Sequence, residues 1–257
     1  MGALAEFGLD DRVIVVTGAG KGIGRAIALD VLGSGSTVVA CSRTREELES
    51  LADEAGVPAD RVKVAVVDLS TKAGVGELVD FSVKACGRID GMVNNAGWNR
   101  LRDAVDYTEE EVDALIGINL RSVFWACVLA GQQMIAQGTG GAIVNITSQA
   151  GVVGAPGRAP YSAAKAGVNN LTRSLAAEWA KYGVRVNALA PTVTLTPLGR
   201  KAMEDRPEFA AEVRERILLG RPAEVREMSL PTVFLLSDAA SMITGQTLVV
   251  DGGWTIV

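Results

Sequence analysis

The sequence predicts an α/β protein in which a seven-stranded parallel sheet carries helices on both faces, a doubly wound arrangement formed by one domain over residues 1–257. Three observations predict it. Short β-branched segments alternate along the chain with longer segments of helical period. The strand segments are apolar almost throughout, as strands covered on both faces are. A glycine-rich turn follows the first strand, at a position where such sheets bind ligands.

The predicted elements follow one another in a regular order of strand and helix. Strands are predicted at 13–18, 37–42, 62–67, 91–95, 142–147, 184–190 and 247–251. Helices are predicted from Gly22 onward and over 44–54, 75–85, 108–136, 159–181 and 223–236. Thr108, with Glu111 three residues later, is typical of a capping box and marks the start of the longest helix. We interpret the polar segment 191–222 as a loop-rich substrate loop that closes over the site.

Composition excludes several classes of function. The chain contains no histidine, which excludes Ser-His-Asp and Cys-His hydrolases and metals held by imidazole. Cys41, Cys86 and Cys127 are far apart in sequence, so we expect packed, reduced side chains and no metal site. A net charge of −5 argues against binding to nucleic acid. We find no uninterrupted apolar run of membrane-spanning length and no signal-peptide pattern, so we expect a cytoplasmic protein that binds no membrane.

The turn after the first strand indicates a dinucleotide site. It reads Thr17-Gly18-Ala19-Gly20-Lys21-Gly22-Ile23-Gly24. Its glycines allow the backbone to turn tightly and to approach a pyrophosphate at the start of the next helix. A glycine-rich turn can also be a purely structural connection, but its place after the first strand of a βαβ unit favours a Rossmann-type fold.

The end of the second strand favours NADP(H) over NAD(H). No acidic residue stands there to bind a ribose 2′-hydroxyl; Ser42 and Arg43 stand there instead. A guanidinium at this point pairs with a 2′-phosphate, and Lys21 adds a second positive charge. The alternative is that Arg43 and Lys21 are solvated surface charges, in which case NAD(H) is possible.

Three residues predict acid–base chemistry. Tyr161 and Lys165 are four residues apart on a predicted helix and share one face, and Ser148 follows the fifth predicted strand. A phenol titrates near a pKa of about 10, and a neighbouring ammonium lowers that value. We predict that Tyr161 exchanges a proton with a carbonyl or alcohol oxygen, that Lys165 lowers its pKa, and that Ser148 holds the same oxygen. The alternative is a packed tyrosine, a solvated lysine and a loop serine.

Together these motifs resemble the short-chain dehydrogenase/reductase family over essentially the whole chain. The matching residues are TGxxxGxG at 17–24, Asp68-Leu69, Asn94-Asn95-Ala96-Gly97, Asn119, Ser148, Tyr161 and Lys165. Within the family, CSRT at 41–44 and NALAPTVTLTP at 187–197 resemble the carbonyl, L-xylulose and polyol reductase-like members.

The resemblance implies further roles. Lys165 also binds the nicotinamide ribose, and Asn119 holds a water in a proton relay. The implied cofactor contacts are Gly18, Lys21, Gly22, Ile23, Gly24, Ser42, Arg43, Asp68, Leu69, Asn95, Ala96, Gly97, Tyr161, Lys165, Pro191, Thr192, Thr194 and Thr196. Thr192 departs from the family, which often has glycine after this proline. A homotetramer is implied, built through the long helices and the end of the chain near Trp254.

The substrate is predicted to be a small carbonyl compound or secondary alcohol, contacted by Ser148, Gln149 and Tyr161. The segments 149–160 and 195–221 roof its pocket, with Trp98 and Asn99 at the edge. Hydrogen-bonding groups there (Asn99, Gln149 and Arg158) suit a sugar or polyol, whereas apolar ones (Val152, Val153, Leu195 and Met203) suit an apolar ketone.

Several functions stay open at this stage. The first is an oxidoreductase that interconverts an alcohol and a ketone, including a 3-oxoacyl reductase-like activity. The second is a non-redox enzyme on the same fold, such as an epimerase or dehydratase. The third is a catalytically idle NADP(H)-binding protein, against which the combination of Asn119, Ser148, Tyr161 and Lys165 argues.

Overall fold

A computed structural model describes residues 6–257, which form one seven-stranded parallel sheet. Its strands are β1 (Val13–Thr17), β2 (Thr37–Ser42), β3 (Val62–Val66), β4 (Gly91–Asn94), β5 (Gly141–Ile146), β6 (Val184–Pro191) and β7 (Thr247–Val250). They lie in the order β3-β2-β1-β4-β5-β6-β7. The order reverses between β1 and β4, so the two halves of the sheet diverge there and leave a crevice at their carboxyl ends.

Ten α-helices are seen in residues 6–257, and most cover the sheet. They are α1 (Gly22–Gly33), α2 (Glu46–Glu49), α3 (Leu51–Ala55), α4 (Lys72–Cys86), α5 (Glu109–Ile116), α6 (Ser122–Gln137), α7 (Ala159–Trp179), α8 (Pro197–Asp205), α9 (Pro207–Arg216) and α10 (Arg226–Leu236). The predicted fold class is therefore confirmed.

Two hydrophobic cores lie on opposite faces of the sheet, because alternate residues of each strand point to opposite sides. Val13 and Val15 of β1 pack with residues of α4, α6 and α7. Ile14 and Val16 pack with residues of α1 and α10. Cys41 and Cys127 are buried and Cys86 is partly buried, and all three are free thiols, as expected.

The predicted helix over 44–54 is divided into α2 and α3. In an unbroken helix the amide of Leu51 would donate to the carbonyl of Glu47. That carbonyl instead accepts from Arg25 Nη1 at 2.6 Å, and Arg25 Nη2 also donates to Ser50 Oγ at 2.7 Å. The side chain of a distant residue thus breaks the helix, which the local sequence does not reveal.

The segment 191–222, interpreted as loop-rich, contains α8 and α9. Each helix has proline at its start, where the missing amide costs nothing. Thr196 Oγ1 caps α8 by accepting from the amide of Gly199 at 3.0 Å. The interpretation rested on the polar composition of the segment, but α8 is a helix that buries no residue and α9 buries only Ala210 and Val213.

The predicted long helix begins at the expected capping box, with Thr108 and Glu111 each bonding the other's backbone amide. It runs through α5 and α6, which are joined by a π-helical turn over Gly117–Arg121. The helical stretch Glu109–Gln137 is long and apolar enough to cross a membrane. The sequence analysis did not identify it as such, because polar residues interrupt its apolar residues. Half of its most apolar window is buried inside the protein, where it packs against α4 and the sheet as a core helix.

Candidate active site

The carboxyl ends of β1 and β4 are tied together at the point where the sheet order reverses. Thr17 Oγ1 donates to the carbonyl of Val93 at 3.1 Å and accepts from the amides of Asn95 at 2.9 Å and Ala96 at 3.0 Å. Asn95 Nδ2 donates to the carbonyls of Thr17 at 3.0 Å and Gly18 at 3.2 Å. We call this set of bonds the Thr17–Asn95 clamp; it joins the glycine turn to residues 94–97.

The glycines of the turn are required by their surroundings. Gly18 and Gly22 have φ of 66° and 59°, in the left-handed region that other residues rarely adopt. A Cβ on Gly24 would overlap the carbonyl oxygen of Gly18 and the side-chain Nδ2 of Asn95. A Cβ on Gly22 would lie 3.1 Å from Thr196 Cγ2, so two predicted cofactor contacts from opposite halves of the sheet meet here.

The start of α1 fits a pyrophosphate. Lys21 is its N-cap and provides no side-chain cap, and the first turn contains no acidic residue. The amides at Gly22, Ile23 and Gly24 therefore face the crevice without side-chain acceptors, and the helix dipole favours an anion there. Lys21 Nζ is 3.0 Å from Glu47 Oε1 in an exposed ion pair, so Glu47 offsets part of the second positive charge that was expected here.

The ends of β2 and β3 place Arg43 beside Asp68. Arg43 is exposed and has no hydrogen bond or ion pair within residues 6–257. Asp68 accepts from the amide and hydroxyl of Ser70 at 3.0 and 2.9 Å, and these bonds, with a smaller contribution from Arg43, lower its pKa. Ser42 Oγ is bonded to the backbone of Thr44. Leu69 is a core residue with 6% exposure, which leaves mainly its backbone for the predicted cofactor contact.

The predicted catalytic residues come together beyond the end of β5. Ser148 is the N-cap of a short 3₁₀ turn, where its Oγ accepts from the amide of Ala150 at 3.1 Å. Tyr161 and Lys165 lie one turn apart on α7, with Lys165 Nζ 5.6 Å from the centre of the Tyr161 ring. Lys165 is 4% exposed and donates to the carbonyl of Ile146 at 2.9 Å. It is a buried cation, which excludes the solvated-lysine alternative.

The electrostatics of these groups differ in one respect from the prediction. Burial raises the pKa of Tyr161, while the Ser148 hydroxyl and the Arg158 guanidinium act in the opposite direction. Burial also lowers the pKa of Lys165 to about 8. The prediction that Lys165 lowers the pKa of Tyr161 is therefore wrong for this structure: burial outweighs the neighbouring charges, and Arg158 is the cation that acts against it.

Asn119 lies in the π-helical turn and is 0% exposed. Its Nδ2 donates to the carbonyls of Trp98 at 2.8 Å and Leu115 at 3.0 Å. Its Oδ1 is buried without a partner. A Cβ on Gly97 would lie 2.5 Å from that Oδ1 and 3.7 Å from Lys165 Nζ, which places Asn119, Gly97 and Lys165 around one point.

The segment after β6 is held mostly by its own hydroxyls. The amide of Thr192 donates to the carbonyl of Val250 at 3.2 Å, Thr194 Oγ1 donates to the carbonyl of Thr192 at 2.9 Å, and Thr196 caps α8. Thr192 Oγ1 is buried without a partner. Of the residues predicted from Pro191 to Thr196, Thr192 is thus the one whose hydroxyl is left for a ligand.

A cavity of about 430 Å³ lies beside Gln149, the residue after Ser148. Gln149, Val153 and Arg158 line it, as the sequence predicted, whereas Val152, Leu195, Met203, Trp98 and Asn99 do not. The predicted roof segment 195–221 contributes Arg206, Phe209, Glu212 and Arg216, and the end of the chain contributes Trp254, which the sequence analysis did not place at the pocket. The spacing of Phe209, Val213 and Ile217, four residues apart, is the signal that could have identified the inner face of α9.

Buried polar atoms without partners are concentrated at this site. Seven such side-chain atoms are found in residues 6–257. Four of them belong to Asn119, Gln149, Arg158 and Thr192, which surround the crevice. Burying a polar group without a hydrogen bond costs stability, so such groups mark places where a ligand completes the bonding. The crevice thus fits a nicotinamide dinucleotide on the β1–β4 side and a small polar molecule on the α9 side.

Comparison with known proteins agrees with this geometry. The family model described as "Enoyl-(Acyl carrier protein) reductase" matches residues 18–255. A D-threitol dehydrogenase from Mycolicibacterium smegmatis is 41% identical over 251 residues, covering 98% of this chain and 95% of the relative. The chain belongs to the short-chain dehydrogenase/reductase family.

Further members of the family are similar over their whole length. An NAD-dependent glycerol dehydrogenase from Listeria innocua is 38% identical, covering 98% of this chain and 96% of the relative. An L-xylulose reductase from Mus musculus is 39% identical, covering 97% of this chain and 98% of the relative. The predicted placement among polyol and L-xylulose reductase-like members is confirmed.

A solved structure of a Burkholderia cenocepacia gluconate 5-dehydrogenase, in complex with NADP and tartrate, has a TM-score of 0.93 and 36% identity. The similarity covers 100% of both chains. This short-chain dehydrogenase/reductase is therefore an oxidoreductase acting on CH–OH groups with a nicotinamide cofactor.

Proposed function

We propose that this enzyme interconverts a secondary alcohol and a ketone of a sugar, polyol or related small molecule, with NADP(H) preferred over NAD(H). One observation carries the proposal: a buried lysine and a tyrosine one helical turn apart face a serine at the end of β5, beside an uncapped helix start that accepts a pyrophosphate. Relatives named for D-threitol, glycerol and L-xylulose support the substrate class.

The cofactor preference rests on Arg43. It is an exposed guanidinium without a partner in residues 6–257, at the end of β2 where a 2′-phosphate lies in this fold. Lys21 contributes less, because Glu47 is paired with it. NAD(H) stays the alternative, since Asp68 beside Arg43 repels a phosphate and one similar enzyme is named as NAD-dependent.

The cofactor, when bound, accepts hydride from the alcohol carbon or returns it to the carbonyl carbon. In the alcohol direction Tyr161 removes the hydroxyl proton; in the carbonyl direction it donates that proton to the oxygen. Ser148 donates a hydrogen bond to the same oxygen and stabilises its developing charge. Lys165, held by the carbonyl of Ile146, is placed to bind the nicotinamide ribose beside Tyr161.

Asn119 is proposed to complete the path of the proton. Its buried Oδ1 accepts from a water near Lys165, and the Nδ2 bonds to Trp98 and Leu115 keep that oxygen turned inward. The amide lies in the π-helical turn, a kind of helical irregularity that is frequent at functional sites.

A panel of polyols, sugars, diketones and a 3-oxoacyl thioester, assayed by absorbance of the reduced cofactor, tests the proposal. We expect turnover of at least one polyol or sugar with NADP(H). Exclusive turnover of the thioester would favour the 3-oxoacyl reductase alternative. Conversion of a sugar without net change in cofactor absorbance would favour the epimerase or dehydratase alternative, and no turnover of any kind with tight cofactor binding would favour the idle binding protein.

A further inference from the structure

Arg158 is a charged side chain that the proposed function leaves unused. It is the N-cap residue of α7, three residues before Tyr161, and its charge acts to lower the pKa of that phenol. It lines the cavity of about 430 Å³ together with Gln149. Arg158 thus belongs to the cavity wall and lies within electrostatic reach of Tyr161, which does not itself line the cavity.

The side chain of Arg158 has no hydrogen bond or ion pair within the described part of the chain, and its Nε is buried without a partner. Burial disfavours its charge and lowers its pKa, and the positive charge of nearby Arg206 adds to that effect. A partly buried guanidinium near another cation costs stability unless an anion joins them.

The acidic residues of the cavity wall supply that anion only in part. Glu212 acts favourably on the Arg158 charge from a distance, but its Oε1 is 3.3 Å from Arg216 Nη1 and is paired with that arginine. Glu208 is exposed at the start of α9. The wall holds three arginines, Arg158, Arg206 and Arg216, against Glu208 and Glu212. This leaves one net positive charge, which suits a monoanion and disfavours a doubly charged phosphate.

Gln149 supplies the second half of the recognition. It is 5% exposed, and its Oε1 is buried without a partner. An amide oxygen only accepts hydrogen bonds, so its partner must be a donor such as a hydroxyl. The cavity therefore presents a cationic donor, Arg158, and a neutral acceptor, Gln149.

We propose that Arg158 binds the carboxylate of a hydroxylated carboxylic acid, of the aldonic acid type, whose secondary alcohol or ketone reacts at Tyr161, while Gln149 accepts from a neighbouring hydroxyl. The inference rests on the proposed function and narrows its substrate class. Arg158 is a substrate-binding and specificity-determining residue, because a neutral polyol offers no charge for its guanidinium.

Paired substrates test this directly. Gluconate and glucitol have the same carbon number and configuration and differ at one end, where gluconate has a carboxylate and glucitol a neutral alcohol. These and three further aldonate–alditol pairs are compared by kcat/KM with the wild type, Arg158→Gln, Arg158→Lys and Arg173→Gln. Arg173 is an exposed arginine on α7 and serves as the control.

The wild type should prefer the acid of a pair by at least about tenfold. In Arg158→Gln the kcat/KM for the acid should fall by about 10- to 100-fold, the range expected for a hydrogen bond to a charged group. Its kcat/KM for the alditol should change by less than about threefold. Arg158→Lys should show an intermediate loss for the acid, because lysine keeps the charge but not the planar guanidinium. Equal loss for both substrates, no loss, or a preference for the alditol would overturn the assignment.

A binding measurement separates this inference from the proposed function. Calorimetry of gluconate with the NADPH-saturated enzyme requires no turnover. If the enzyme turns over no polyol or sugar of the panel, the proposed function fails; weaker gluconate binding by Arg158→Gln than by the wild type would still support the anion site. Binding that Arg158→Gln leaves unchanged, tighter binding of a sugar phosphate, or no binding by the wild type would overturn it.

Discussion

The two sides of the crevice are built on different principles. On the β1–β4 side, the Thr17–Asn95 clamp bonds both of its side chains to the backbone, and glycines leave no space for side chains. On the α9 side, Gln149 and Arg158 have buried polar atoms without partners, and arginines face a cavity. The β1–β4 side therefore has its shape fixed before the dinucleotide binds. The α9 side needs a ligand whose charge and hydrogen bonds match its unpartnered groups.

This difference teaches where specificity is determined. A dinucleotide is bound mostly by backbone amides and shape, which glycine spacing encodes. A substrate is bound by a few side chains from separate helices, which can change without disturbing the sheet. The following predictions test that contrast, beginning with the residue between the two sides.

Tyr161→Phe should lower kcat by about 10²- to 10⁴-fold, the usual contribution of a general acid and base. Cofactor affinity and the thermal unfolding midpoint should change little, because the ring still packs in the same place. Tyr182→Phe, at an exposed position just after α7, is the matched control and should keep full activity. Steady-state kinetics with a cofactor titration give the answer, and full activity of the phenylalanine variant would end the proposed mechanism.

Gly24→Ala should reduce the free energy of unfolding by about 1–3 kcal/mol and weaken cofactor binding, because its Cβ overlaps the Gly18 carbonyl and the Asn95 amide. Gly33→Ala, at the other end of α1, meets no atom within 4 Å and should leave stability unchanged or slightly higher. Urea unfolding and a cofactor titration measure both variants. Equal stability and equal cofactor affinity of the two variants would show that the glycine turn has room for a side chain at residue 24.

Arg43→Gln should lower the ratio of kcat/KM for NADP(H) to that for NAD(H) by about 10-fold or more, since a charge-assisted bond to the 2′-phosphate is lost. Arg45→Gln, two residues away in an exposed pair with Glu49, should change that ratio less than about threefold. The substrate preference should be the same in both variants, because Arg43 lies on the cofactor side. If Arg43→Gln has the same ratio of kcat/KM for NADP(H) to kcat/KM for NAD(H) as the wild type, Arg43 does not determine the preference for NADP(H).

Lys165→Met should change the pH dependence of stability. The pKa of Lys165 is lowered by burial to about 8 in the folded chain, from an ordinary 10.5. Between these values the unfolded chain binds more protons, so this residue makes the folded state relatively more stable as the pH rises. The free energy of unfolding of the wild type should therefore rise relative to Lys165→Met between pH 8 and about 10. Parallel curves from urea titrations would show that the lysine is not desolvated.

The arrangement of residues on the predicted cofactor side could largely be anticipated from the sequence. Gly18, Gly22 and Gly24 act through backbone conformation, and Ser148, Tyr161 and Lys165 occupy strand-end and helical positions that periodicity reveals. The sheet order follows from the alternation of strands and helices once the fold is recognised. These features depend on local spacing, which the linear sequence records.

The substrate side could not be predicted to the same extent. Its wall contains Arg206, Arg216 and Trp254, which reach the cavity only after α9 and the end of the chain have packed. The sign of the pKa shift on Tyr161 was also missed, since it depends on how deeply the phenol is buried. The pairing of Lys21 with Glu47 joins residues of separate elements. Each of these is a property of tertiary contact.

The Thr17–Asn95 clamp has a consequence for affinity. Ordering a flexible backbone costs about 1–2 kcal/mol for each residue. Here two strand ends are already fastened to each other by five hydrogen bonds that involve no ligand atom. The arriving dinucleotide meets a surface with its final shape, and little of the interaction energy is spent on arranging the protein.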